Sequence, residues 1–489
     1  MTATSPLRSK LFWVGVLYFA EGFPLGIFFD IFPVHFRQMG VDLRAIGVMS
    51  LLGLAWSLKF LWAPAIDHFR HHRRWMATVD IAMAAIMGLF ALGMGAGPWA
   101  WVAIGLFTTL SATNDIAIDG FTIELLDRDE MGIANGFRIG FYRAGMLAAG
   151  LLLVLSDYLG WAGAYGLAGI LLAALAACCL AAPRERKGAD RKPGAVAAEF
   201  RALASHPGLA IPALLLFAGL LAGATRHAVI AAGLLALALA MVVAQHYRKA
   251  PVAEKVVHDG PVFGAFISLL NRPYFLPVVA FILIFKLADT TIGFMIKPFW
   301  VDAGFSASEI GLVSVNLGLF FSILGGLVGG WFTDRVGIFH GLWILGLAQA
   351  VSNLGYAGAA YAIPHTGAIT EVADLHRALI YSASAVESFT QGLGTGAFLA
   401  FLMAIVDKSR AATEYAILSS LFALSRSIAG WAGGYGAAHL GYADFFLLTF
   451  LFGLPAYALL PWVKRILDET RAKEEAMPAD PATTPASAD

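Results

Sequence analysis

Two stretches decide the fold: M-G-V-D-L-R-A-I-G at 39–47 and A-G-F-S-A-S-E-I-G at 303–311. Gly40 and Ile46 are six apart, as are Gly304 and Ile310, at a common offset of 264. Pro33 stands before the first stretch and Pro298 before the second, and the apolar runs that follow end at Asp67 and Asp334. One structural unit is therefore written twice, in the same direction.

The surrounding composition says what kind of unit it is. Of 489 residues, 59% are hydrophobic and 13% charged. Soluble domains carry about 45–50% apolar and about 25% charged residues. The mean hydropathy is +0.74. A disordered chain, a disulfide scaffold and an ordinary soluble enzyme are excluded. The two cysteines, Cys178 and Cys179, are adjacent inside an apolar run, which disfavours a disulfide. The 52 glycines suit helices packed closely in lipid.

A run of roughly 20 apolar residues spans a bilayer as a helix. Such runs lie near 12–36, 44–66, 76–96, 98–122, 131–155, 161–181, 207–223 and 228–245. Six more lie near 274–300, 308–331, 338–362, 376–404, 411–438 and 442–463. The expected fold is all-α and integral to the membrane, with about 14 helices. An N-terminal six-helix bundle occupies 1–182. Linkers and an extra hairpin at about 207–245 occupy 183–272. A C-terminal bundle occupies 273–465, and 466–489 reads as a disordered tail. With both termini cytoplasmic, even-numbered loops and termini hold 23 of the 33 basic residues. The opposite face keeps Arg37, Arg44, Arg226 and Arg377, so the bias sets this orientation.

The segment Gly330-Trp-Phe-Thr-Asp334-Arg335-Val-Gly337 fits the G-x-x-x-D-R-x-G loop of major facilitator proteins. There an aspartate caps or pairs with neighbouring helix ends and an arginine holds a gate. The first-half copy is degenerate and keeps Asp67. Two parallel six-helix repeats are the major facilitator architecture. No phosphate loop, zinc motif or nucleophile elbow appears, so neither a cofactor nor an enzyme is expected. The run 67–75 has three histidines and reads as a basic loop facing anionic lipid rather than a metal site.

A charge at mid-bilayer costs about 2.5–3.5 kcal/mol on insertion scales. The acids inside the runs are read as Glu21, Asp30, Asp115, Asp119, Asp289 and Glu387. Asp115 and Asp119 are four apart and share a helical face. Two carboxylates that close do not ionise independently. They either carry the coupled proton or pair with Arg138 or Arg143 as structural glue. Lys286 and Asp289 either neutralise one another or divide the work, the lysine holding an anion and the aspartate a proton. Glu387 is followed by T-Q-G-L-G-T-G (390–396), which contains Gln391. Arg143 and Arg426 fall on corresponding helices of the two halves. Glu21 precedes Gly22 and Pro24, which loosen their helix. Asp30 is expected to be solvated, and Lys59 and Lys297 to snorkel.

These residues resemble a known family. F-A-E-G-F-P-L-G (19–26), S-L-K-F-L-W-A-P-A-I-D (57–67), S-A-T-N-D-I-A-I-D-G-F (111–121) and Y-R-A-G-M (142–146) look like the peptide–acetyl-coenzyme A transporter family. F-K-L-A-D (285–289), G-L-G-T-G-A-F-L-A-F-L-M (392–403) and the stretch around Arg426 resemble its AmpG-type muropeptide permeases. The resemblance implies a proton-dependent importer of anhydro-muropeptides in the bacterial inner membrane, serving cell-wall recycling. The solute would be an anionic glycopeptide. The other partners would be protons and lipid, with no nucleic acid, and the protein would be a monomer. Asp119, Asp115, Asp289 and Glu387 would be the proton-coupling acids. Lys286, Arg143 and Arg426 would contact solute; Glu21, at a place where such permeases are expected to carry a small residue, and Gln391 are added to that set from their own positions in the sequence. Gly330, Asp334, Arg335, Gly337 and Asp67 would form gating loops. The rivals are a carrier of siderophores or acetyl-coenzyme A, and a non-transporting sensing protein on the same fold.

Overall fold

A backbone amide that cannot reach water must be satisfied within its own segment, so a chain this apolar folds as helices. The computed structural model describes residues 10–59, 71–95, 97–126, 131–183, 274–363, 372–406 and 411–476, with isolated positions within 62–66 and 211–269. The first half holds α1 (Lys10–Gln38), α2 (Leu43–Leu58), α3 (His72–Gly93) and α4 (Pro98–Leu125). The continuous helical stretch Met131–Ala181 completes it. At 51 residues that stretch would be roughly 75 Å long, over twice a bilayer core of about 30 Å. Gly160, at φ +68°, breaks it into α5 (131–159) and α6 (161–181). The second half repeats the plan: α7 (Phe275–Asp302), α8 (Ala307–Val336), α9 (Ile338–Ala362) and α10 (Asp374–Ala404). Gly441, at φ +76°, then divides Ala411–Tyr457 into α11 (411–440) and α12 (442–457).

Twelve helices, α1 to α12, thus make up the two halves among the described residues, six in each, and eight helical stretches are long and apolar enough to cross a membrane. The hairpin read at 207–245 lies largely outside them. Packing repeats as well: α1 lies on α5 as α7 lies on α11, and α3 lies on α6 as α9 lies on α12. The faces turned to lipid are apolar, as with Val102 and Leu106 of α4, while Asn114 and Asp115 of the same helix are buried.

The reading of 466–489 as disordered needs correction. A helix, α13 (Leu460–Ala476), occupies its first eleven residues. Val463 and Ile466, three apart, bury against the core around Phe275 and Leu342, and Lys464, Arg465 and Asp468 fall between and beyond them. This amphipathic spacing gives a charged segment a reason to fold.

The halves meet at one end of the bundle, the end remote from the termini, here called distal. Arg37 at the end of α1 grips Asp302 at the end of α7 through two hydrogen bonds of 2.6 and 2.7 Å. The Tyr442 hydroxyl donates to the same carboxylate at 2.6 Å. A turn or two deeper, Lys297 of α7 lies 3.7 Å from Asp30 of α1 and donates to Ser314 of α8 at 2.7 Å. Asp30 and Ser314 both sit in π-helical segments, Ile27–Ile31 and Ile310–Leu317. Backbones touch where glycine permits. A Cβ on Gly47 would stand 2.7 Å from the Gly434 Cα, and one on Gly311 would stand 2.5 Å from the Gly150 carbonyl oxygen. Towards the termini α2 still meets α11 around Leu54, Leu58 and Leu424. Beside that contact the inner portions of α5, α7, α8 and α10 pack chiefly within their own halves, so the bundle is joined distally and parts towards the termini.

Candidate functional site

Two polar clusters flank the parting, one in each half, the first partly exposed and the second buried. The first is assembled on α1, α2, α4 and α5. One helical turn carries Asp115 and Asp119 of α4 to the same face. Lys59, just past α2, donates a short hydrogen bond to Asp115 and lies 4.0 Å from Asp119. Arg138 of α5 reaches Asp119 at 3.0 Å, and the Tyr18 hydroxyl of α1 donates to it at 2.7 Å. The Arg138 guanidinium also covers the Tyr18 ring, 4.7 Å from its centre. Glu21, three residues along α1 from Tyr18, stands within hydrogen-bonding reach of Asp115. The side chains of Lys59, Asp119 and Arg138 keep 30%, 31% and 44% of their exposure. Ions inside an apolar bundle stay that accessible only where water enters beside them.

The second cluster centres on Lys286, where α7 is interrupted between Phe275–Phe285 and Leu287–Asp302. Its ammonium donates to Thr395 at 2.8 Å, Gln349 at 3.0 Å and Asp289 at 3.5 Å. A lysine has three donors, and here all are taken, with the residue 1% exposed. Glu387, Gln391 and Thr395, four apart, share one face of α10. Glu387 is buried and accepts from Ser388 at 3.3 Å. Gly293, midway along α7, faces open space, so the cleft reaches the level between Asp289 and Lys297.

Arg143 and Arg426 answer the sequence reading in part. Both stand near Tyr142, on α5 and α11. Among the described residues neither has a carboxylate partner within ion-pair distance; Arg426 lies over the Phe29 ring, 3.6 Å from its centre. They are cations held without a partner anion, unlike Lys286. Of the alternatives for Asp119, the pairing base is Arg138 and not Arg143. Two expectations fail. Lys59 and Lys297 do not snorkel: each meets an acid inside the bundle. Asp30 is 9% exposed and is not solvated. The repeat brings α1 against α7 and α2 against α4, so each of these charges finds a partner nearer than the membrane surface.

In the 330–337 segment, α8 ends at Gly337, φ +86°, whose amide donates to the Thr333 carbonyl at 2.9 Å. Gly330 faces open space. Asp334 and Arg335 are exposed, and Arg335 lies over Trp331 of its own helix. Neither forms an ion pair among the described residues, which follows from the parting of the halves at this end. Asp67 lies outside the described residues.

Three features escaped the sequence reading. Asp80 of α3 is fully buried and accepts from Asn114 at 2.8 Å, with the Cys179 thiol at 3.6 Å. The signal was present, an acid within an apolar run. Arg37 and Asp302 each stand four residues after the proline of their repeat. They are equivalent positions of opposite charge, meeting where the halves meet. Ser50 of α2 donates to the Ser427 carbonyl of α11 at 2.7 Å, a cross-half bond that no motif announces.

The family described as acetyl-coenzyme A transporter 1 matches residues 10–97. The anhydromuropeptide permease of Escherichia coli K12 is 28% identical over 470 residues, covering 94% of this chain and 80% of that protein. A putative transporter AmpG 4 of Rickettsia conorii is 25% identical over 471 residues, covering 93% and 96%. An auto-inhibited peptide transporter of the POT family superposes with a TM-score of 0.66 at 16% identity, over 98% of this chain and 99% of that one. A bacterial homologue of the lysosomal transporter Spinster, inward-facing and unoccupied, gives 0.64 at 13% identity, over 98% and 100%. The fold is that of the major facilitator transporters, and the sequence is AmpG-like. The AmpG-like similarity spans both polar clusters and the distal closure, whereas the family match at 10–97 takes in only Tyr18, Glu21 and Lys59 of the first.

Proposed function

We propose that the protein is a proton-coupled importer of anhydro-muropeptides in the bacterial inner membrane, working as a monomer with both termini cytoplasmic. The carrying observation is the cleft itself: ionisable groups from both halves, sealed distally by Arg37–Asp302 and open towards the termini. A scaffold or sensor has no need to keep a water-accessible acid–base cluster inside an apolar bundle. Orientation follows from the basic bias of the loops at the open end. The state described is then inward-facing, and rocking of the halves would open the distal side.

The chemistry divides between the clusters. Asp115 and Asp119, with Asp289 and Glu387 opposite, are the acids available to a proton. Arg143 and Arg426, lacking carboxylate partners, suit the carboxylates of a peptide, and Gln391 suits a polar contact beside them. Lys286 joins this set only if solute displaces Asp289 or Thr395. Glu21 lines the same wall as Asp115. The loop at Gly330, Asp334, Arg335 and Gly337, with Asp67 in the other half, would close the inner side. An acetyl-coenzyme A carrier is the second reading, favoured by the family match over residues 10–97. Uptake of labelled anhydro-muropeptide into proteoliposomes, with and without an imposed proton gradient, separates them. Gradient-dependent accumulation supports the proposal. Accumulation of acetyl-coenzyme A instead overturns the substrate, and no uptake of either solute by folded protein overturns the class.

A further inference from the structure

The first-half cluster is short of positive charge. Three carboxyl groups, Glu21, Asp115 and Asp119, face two cations, Lys59 and Arg138. Asp115 is taken by Lys59, and Asp119 by Arg138 and Tyr18. Glu21 is left with no cation of its own. One of its oxygens, Oε2, is buried without a hydrogen-bond partner, and its carboxyl group approaches that of Asp115. Two carboxyl groups hydrogen-bond only if one of them carries a proton. The remaining charged or titratable neighbours do not supply that bond: Tyr18 serves Asp119, the Tyr142 hydroxyl of α5 forms no hydrogen bond with Glu21, and Arg143 and Arg426 stand by Tyr142. The helix around Glu21 is also built to yield, since Pro24 removes one backbone bond of α1.

We infer that Glu21 and Asp115 share one proton, and that this pair, rather than Asp119, is where the transported proton binds. The inference rests on the proton-coupled reading above. In the balance of charge, the proton leaves the pair when Lys59 moves to serve both carboxylates, and returns when Lys59 is held by Asp115 alone. Asp119, paired with Arg138 and Tyr18, positions Lys59 from 4.0 Å.

The test has a readout independent of transport. Infrared spectra of the full-length protein in lipid at neutral pH are taken for wild type, Glu21→Gln and Asp119→Asn. One component of the carbonyl stretch of protonated carboxylic acids is expected to be lost from Glu21→Gln and to persist in Asp119→Asn. If Glu21→Gln fails to fold, Asp115→Asn removes the same shared proton and the same band. A band unchanged in Glu21→Gln and in Asp115→Asn overturns the inference. In proteoliposomes clamped at zero potential, one pH unit drives about tenfold accumulation per proton carried. Glu21→Gln is expected to lose that tenfold, and a retained tenfold in Glu21→Gln contradicts proton binding at Glu21. If wild type moves no muropeptide, the substrate reading fails, and the infrared band still decides the shared proton.

Discussion

The two halves share a plan and use it differently. In the first half, the side chains of Lys59, Asp119 and Arg138 keep about a third or more of their exposure, and the acids outnumber their cations. In the second, Lys286 spends all three donors on Asp289, Gln349 and Thr395 and is sealed from water. The same repeat thus gives one cluster that can change its protonation and one that holds helices α7, α9 and α10 together. A buried ionic hub is costly to break, whereas a wet, under-neutralised cluster is cheap to rearrange. That contrast is what a coupled transporter needs: one side moves charge while the other keeps its shape.

Breaking the comparison starts with its largest expected effect. Asp119→Asn should abolish gradient-driven uptake, because Arg138 and Tyr18 lose the charge that orders them. The variant should still insert and unfold near the wild-type temperature. Wild-type pH-driven uptake by Asp119→Asn would remove it from the machinery. Next comes Lys286→Ala, which strands the buried Asp289 carboxylate and the buried Gln349 amide oxygen. Removing one partner of a buried ion pair costs about 3–5 kcal/mol, so thermal unfolding in detergent should shift sharply. An unchanged midpoint would mean the second cluster is not the structural one.

Two smaller effects sharpen the picture. Arg37→Ala removes a bidentate pair between halves, worth roughly 1–2 kcal/mol, or a factor of about 5–30 in the closed-to-open ratio. Accessibility of distal cysteine probes to an impermeant thiol reagent should rise accordingly. The exchange Arg37→Asp with Asp302→Arg should restore closure, since the repeat places both residues equivalently. The smallest effect belongs to Arg335→Ala. Its side chain lies on Trp331 of its own helix, so stability should move by no more than about 0.5 kcal/mol. A slower transport cycle with unchanged stability would show that Arg335 engages only when the inner end closes.

Much of this is legible in the sequence alone. The repeat at 39–47 and 303–311 gave two parallel halves, and the i, i+4 spacing of Asp115 and Asp119 gave a shared face. Charges inside apolar runs marked Glu21, Lys286, Asp289, Glu387 and Arg426. Partners were not legible, because they depend on which helices touch. Lys59 near a helix end reads as snorkelling until α2 is known to lie beside α4. Asp30 reads as solvated until Lys297 of the other half is known to face it. Arg37 and Asp302 sit where sequence shows only loop ends, and only superposition of the repeats reveals that they oppose. The amphipathic helix after Tyr457 was masked by the low-complexity sequence that follows it.

The central claim is that the halves exchange closure between the two ends of the bundle. Distances between spin labels test it most directly, after replacing Cys178 and Cys179, the two native free thiols. One label pair sits distally at Arg44→Cys and His439→Cys, and the other sits at the termini end at Arg74→Cys and His340→Cys. All four residues are exposed. The account predicts a short distal and a long inner distance without solute, changing in opposite directions when solute and a proton gradient are supplied. Two distances that stay fixed under every condition would contradict it.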